Sequence, residues 1–152
     1  EVGPSFRPIE RLTLNATATY LDSEITEVKA LGATNLPGDP VDYVPEFSYT
    51  LGANYDFDWS ATMPGFFRVD YSYRDKVSYI DLSSFPLENT PQFSDDIAPL
   101  AARLGMKMGE ASLEVFGTNL TNENKWIDPY HNWTNANRTR PRELGVKVGY
   151  QF

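Results

Sequence analysis

The sequence predicts an all-β fold, an antiparallel meander of about seven long strands, and three observations predict it. Apolar and polar residues alternate with a two-residue period along most of the chain, as in strands with one apolar and one polar face. Helical periodicity is weak throughout. The segments joining the alternating runs are short and long in strict turn.

The elements follow in order. The opening stretch EVGPSFRP gives a short first strand through Val2 and Phe6. Leu12, Leu14, Ala16, Ala18 and Tyr20 form the apolar row of the second, interleaved with Thr13, Asn15, Thr17 and Thr19. In the third, Phe47, Tyr49, Leu51, Ala53, Tyr55 and Phe57 alternate with Ser48, Thr50, Gly52, Asn54 and Asp56. The fourth sets Phe67, Val69, Tyr71 and Tyr73 against Arg68, Asp70, Ser72 and Arg74. The fifth sets Leu100, Ala102, Leu104, Met106 and Met108 against Ala101, Arg103, Gly105 and Lys107. The sixth, ASLEVFGTNL, alternates less cleanly, with Leu113 and Val115 opposite Glu114. The last alternates without a fault: Leu144, Val146, Val148, Tyr150 and Phe152 face away from Gly145, Lys147, Gly149 and Gln151. The short connections are 8–11, 58–65 and 108–110; the long ones, 28–45, 80–96 and 124–140, are rich in Pro, Asn, Asp and Ser.

Composition narrows the function classes. The 152 residues are 41% apolar and 14% aromatic, too apolar for a disordered chain. A net charge of -8 argues against nucleic acid as a partner. The absence of cysteine removes disulfides, thiolate metal sites and a cysteine nucleophile. No run of about 18 apolar residues is present, so no transmembrane helix is expected.

Alternation alone does not say which solvent each face meets. In a soluble barrel or sandwich the apolar row points to a core and the polar row to water. In a membrane barrel the apolar row meets lipid and the polar row a wet lumen. Three features favour the membrane. The polar row is rich in Gly, Thr, Ser and Asn rather than Lys and Glu. The apolar rows end in rings at Tyr20, Tyr55, Phe57, Tyr73, Tyr150 and Phe152, as aromatic girdles require. The strands run roughly 10 or more residues, close to the roughly 9–11 that cross a bilayer at a tilt and longer than the usual soluble strand of about 5–6. Short turns then mark the periplasmic rim and long loops the extracellular one. Bacterial single-chain barrels have even strand numbers, and an open sheet leaves unpaired edges in lipid. The chain is therefore expected to be the closing part of a longer barrel.

Three stretches carry a family resemblance. FRPIERLTLNATATYLDSEITE resembles a repeated strand-turn-strand of TonB-dependent outer-membrane receptors. ASLEVFGTNLTNENKW resembles their penultimate strand, with its NLT element at Asn119, Leu120, Thr121 and Asn122. RPRELGVKVGYQF resembles their last strand. The resemblance spans nearly the whole chain in order. It implies a barrel of about 22 strands plugged by an N-terminal domain, with residues 1–152 as the C-terminal portion of the wall. It also implies uptake of a scarce ligand (siderophore-iron, cobalamin or carbohydrate) driven through TonB, and no cofactor. The implied partners are the outer-membrane bilayer, the barrel assembly machinery, TonB and a small-molecule ligand. In such barrels the final strand is an assembly signal, which the pattern Leu144, Val146, Val148, Tyr150 and Phe152 matches.

No catalytic constellation is present, and no enzyme activity is expected. The single histidine, His131, lies in a long loop with Tyr130, Trp133 and Arg138, a mixture suited to a sugar-bearing or aromatic ligand and equally to interface anchoring. The pairs Asp95–Asp96 and Asp56/Asp58 are read as turn and rim chemistry rather than a metal site. Four N-x-T sequons, at Asn15, Asn119, Asn132 and Asn137, are read as chance in an Asn/Thr-rich chain. Arg68, Asp70, Arg74, Arg103, Lys107 and Lys147 are expected in the lumen, first as wall-to-wall or wall-to-plug ion pairs. A non-energised porin or adhesin-type barrel is the runner-up, and a soluble β-sandwich binding module the third reading.

Overall fold

The computed structural model describes residues 3–29, 36–80, 91–128 and 137–151. Seven strands form one antiparallel sheet: β1 (Ser5–Ile9), β2 (Leu12–Tyr20), β3 (Phe47–Ser60), β4 (Met63–Arg74), β7 (Leu100–Met108), β8 (Ala111–Thr118) and β11 (Glu143–Tyr150). Each pairs with its predecessor in the sheet, so the wall is an up-and-down meander, open here at β1 and β11. Two ribbons rise from the long loops: β5 (Ser78–Ile80) with β6 (Pro91–Phe93), and β9 (Trp126–Asp128) with β10 (Asn137–Arg138). These ribbons lie within segments expected to be plain loops. Their strands are only two or three residues long, below the length at which periodicity is readable.

All three tight turns have two central residues, and their backbones explain the register. Gly109, with φ of 61°, supplies the left-handed residue that a primed hairpin turn needs, and β7–β8 pair without a shift. Glu10–Arg11 and Ala61–Thr62 contain no positive φ, and unprimed turns splay their strands. In both hairpins an irregularity follows, between Phe6 and Ile9 and between Asp58 and Ser60. The connection expected over 58–65 is accordingly shorter: β3 runs on to Ser60 and β4 starts at Met63.

Register puts every apolar row on one face. One cross-strand line runs Phe6, Leu14, Ala53, Val69, Ala102, Gly117 and Leu144. Phe6, Leu51, Val115, Leu144, Val146 and Val148 are exposed on this face, and among the described residues the only buried hydrophobics are Val77 and Tyr79. Exposed apolar residues gathered on one face in this way mark a surface that meets a membrane or a partner. Rings gather at its two ends. Phe47, Tyr49, Tyr71 and Tyr73 cluster toward the long loops, with Tyr49 and Tyr73 stacked at 5.3 Å. Tyr55, Phe57 and Trp59 form a ladder toward the tight turns, the last two edge-on at 5.1 Å. From Phe47 to Trp59 is about 40 Å along the strand at ~3.4 Å per residue, or about 28 Å once tilted by ~45°. That matches an apolar band of about 25 Å.

Candidate functional site

The other face is polar and holds the charged residues expected in the lumen. Arg68 donates from Nε and Nη2 to Asp70, two residues along β4, at 2.8 and 2.7 Å. Arg103 stands directly across from Arg68, and Lys147 directly across from Glu114. Lys107 faces Ser112. Arg74 lies opposite Ser48 at the long-loop end, and its Nε and Nη2 are buried without a hydrogen-bond partner. Glycines on this face take the neighbouring strand's side chain. Phe66 lies over Gly105, Phe116 over Gly145 and Asn15 over Gly52, each pair directly cross-strand. Phe116 thereby occupies a polar-face position, which explains the irregular alternation of its strand.

Among the described residues, the most buried side chains lie at the base of the long loops. Val77, Ser78, Tyr79, Ser94 and Asn119 are its most buried residues, at 2–7% exposure. Ser94 Oγ accepts from Val77 N at 3.0 Å, and Tyr43 N donates to Ser78 O at 2.8 Å, tying the first long loop to the second. Asp95 Oδ2 accepts from Trp126 N at 2.7 Å, tying the second to the third.

Asn119 organises the third loop. It takes a left-handed backbone, φ 46°, a conformation Asn tolerates better than most residues. Its Nδ2 donates to Glu123 O at 2.9 Å and Arg140 O at 2.7 Å. Its Oδ1 accepts from Glu123 N at 2.9 Å and Thr121 Oγ1 at 3.3 Å. Glu123 then reaches the second loop, accepting from Ala98 N at 2.7 Å. Lys125 Nζ sits 3.3 Å from Asp96 and 3.5 Å from Glu123. Partial burial works against the Lys125 charge, but the bonds and fields of Asp96 and Glu123 outweigh it and hold the ammonium above its ordinary pKa. In the sequence, the NLT element at Asn119 stands out by its family resemblance. Its role was readable from the residue type, since Asn at a strand end, followed by Thr and Asn, is a turn signal.

Of the loop residues singled out from sequence, Tyr130, His131 and Trp133 lie outside the described residues. Arg138 is described: its guanidinium stacks 3.7 Å from the Trp126 ring centre and donates to Asn124 Oδ1 at 2.9 Å. Asp96 pairs with Lys125, Asp56 accepts from Asn54 at 2.9 Å, and Asp58 pairs with Arg11 at 2.8 Å. Each of these carboxylates therefore has a local partner. Leu144, Val146, Val148 and Tyr150 line the outer face of β11, and Phe152 lies outside the described residues.

The antiparallel meander of the wall agrees with the comparisons. The family profile described as "TonB dependent receptor-like, beta-barrel" matches residues 3–137. The chain belongs to this family. A solved relative is BauA, the ferric preacinetobactin receptor from Acinetobacter baumannii, with 28% identity and a TM-score of 0.69. The likeness covers 97% of this chain and 21% of that one, so the chain spans about a fifth of the relative's length. The search of curated proteins returns no match. The family is one of outer-membrane transport receptors rather than enzymes.

Proposed function

We propose that residues 1–152 form the C-terminal part of the barrel wall of an outer-membrane receptor that takes up a scarce ligand with energy relayed by TonB. The observation that carries this reading is the two-faced wall. Its outer surface is apolar and ring-girdled, its inner surface carries paired and unpaired charge, and its sequence belongs to the TonB-dependent family. Among ligand classes, the ferric preacinetobactin receptor supports an iron chelate ahead of cobalamin or carbohydrate. Tyr130, His131, Trp133 and Arg138 belong to the loop proposed to face this ligand. Arg68, Asp70, Arg74, Arg103, Lys107 and Lys147 are proposed to line the lumen, and the β11 row ending in Phe152 to address the chain to the assembly machinery.

Uptake of radiolabelled iron chelates into cells carrying the full-length gene tests the reading. Accumulation is expected in cells with an active TonB system and loss of it in cells without one. Equal passage in both would identify a passive pore instead.

A further inference from the structure

The outer face has a concavity that the described residues leave open. In the cross-strand line Phe6, Leu14, Ala53 and Val69, Ala53 is a notch between larger neighbours. One step toward the long loops, Ala16 is a second notch beside Leu51 and Tyr71. Together they floor a cavity of about 410 Å³ walled by Phe6, Leu14, Leu51, Val69 and Tyr71. Asn15 contributes no polar group here, because its side chain lies over Gly52 on the inner face. A comparable notch in the same line, at Ala102 and Gly117, is filled by the chain itself. A Cβ on Gly117 would meet Leu120 Cδ2 at 2.6 Å and Leu144 Cδ2 at 2.9 Å. Among the described residues, the Ala16–Ala53 notch has no such filler.

We propose that this cavity holds one acyl chain of an outer-membrane lipid. The proposal rests on the outer face being the lipid-facing one, and it adds a fixed site to what would otherwise be a uniform lipid contact. Three observations select the occupant. The walls are apolar and no charged side chain lines them. The volume admits roughly a dozen methylene groups at about 30 Å³ each, the share of a water-sized group in a liquid. A peptide segment would bring backbone polar groups that find no partner there, whereas an acyl chain brings none. The upper wall is Tyr71, which belongs to the ring cluster at the long-loop end, where a lipid headgroup would lie.

Native mass spectrometry of the full-length receptor, extracted from outer membranes in mild detergent, tests this. Wild type is expected to retain one lipid through detergent washing, its added mass distinguishing a phospholipid from a lipid A. The Ala16→Leu/Ala53→Leu variant fills both notches and is expected to lose at least nine-tenths of that adduct, while Val115→Leu, exposed on the same face, keeps it. Ala53→Val alone, a smaller filling, is expected to reduce the adduct about twofold and stands in if the double variant does not fold. No adduct on wild type, retention undiminished by filling, or a dimer mass in place of a lipid mass each overturns the proposal. Heat-shifted gel migration reports the folded barrel separately. Its absence in wild type would overturn the membrane reading, and its presence without a lipid adduct overturns the lipid site alone.

Discussion

Asn119 shows how much one side chain determines where a strand meets a loop. Four hydrogen bonds and a left-handed backbone converge on it, and it is 7% exposed. Removing the amide strands buried backbone groups, each costing about 1–3 kcal/mol. Asn119→Ala in the full-length protein is therefore expected to lose about 2–3 kcal/mol and to speed protease cleavage within 120–140. Thermal melting and a cleavage time course check this; wild-type behaviour in both would remove Asn119 from the loop base. Lys125 gives a pH expectation at the same place. Its folded pKa is raised, so its ion pairs contribute fully below the ordinary lysine value of about 10.4 and are lost only as pH rises through the higher folded value. Cleavage of the third loop should therefore be insensitive to Lys125→Met above that range and accelerated by it at pH 7–9.

At the scale of elements, pairing is decided by what lies across the strand. Phe116 covers Gly145 on the polar face, where any Cβ would fall on the ring. Gly145→Val is expected to destabilise the β8–β11 pair by about 1–3 kcal/mol through overpacking. Adding Phe116→Ala to it should recover part of that loss, and unfolding of the two barrel variants against wild type measures both effects. The alternation of the sequence placed Gly145 on the polar face but did not reveal its neighbour, because the cover belongs to another strand. The tight turns show the same division. Gly109 is legible as a primed-turn residue. The irregularities beside Glu10–Arg11 and Ala61–Thr62 follow from backbone splay that no residue type announces.

For the whole molecule, the two faces have opposite tolerance to charge. Val146 is 64% exposed on the outer face of β11, and Lys147 stands on the other. Val146→Arg is expected to cost about 2–4 kcal/mol near the bilayer midplane, and Lys147→Ala less than about 1 kcal/mol. Folding of the full-length receptor into lipid vesicles measures the difference, and equal costs would contradict the lipid-facing assignment. Phe152→Asp belongs to the same scale. It is expected to reduce outer-membrane levels sharply without altering vesicle folding, because the aromatic end is proposed to act in delivery.

The sequence by itself determined the all-β class, the seven wall strands, their faces and the alternation of short and long connections. Each follows from local period-two patterning and turn chemistry, which a strand carries within its own residues. Only the tertiary structure decided the cross-strand partners: which ring covers which glycine, which notch is filled by Leu120 and Leu144, and which stays open. It also decided that the long loops share a packed base through Asn119, Glu123, Asp95 and Ser94. Those contacts join residues up to several tens of positions apart, and they depend on register, which a change of one residue would reverse.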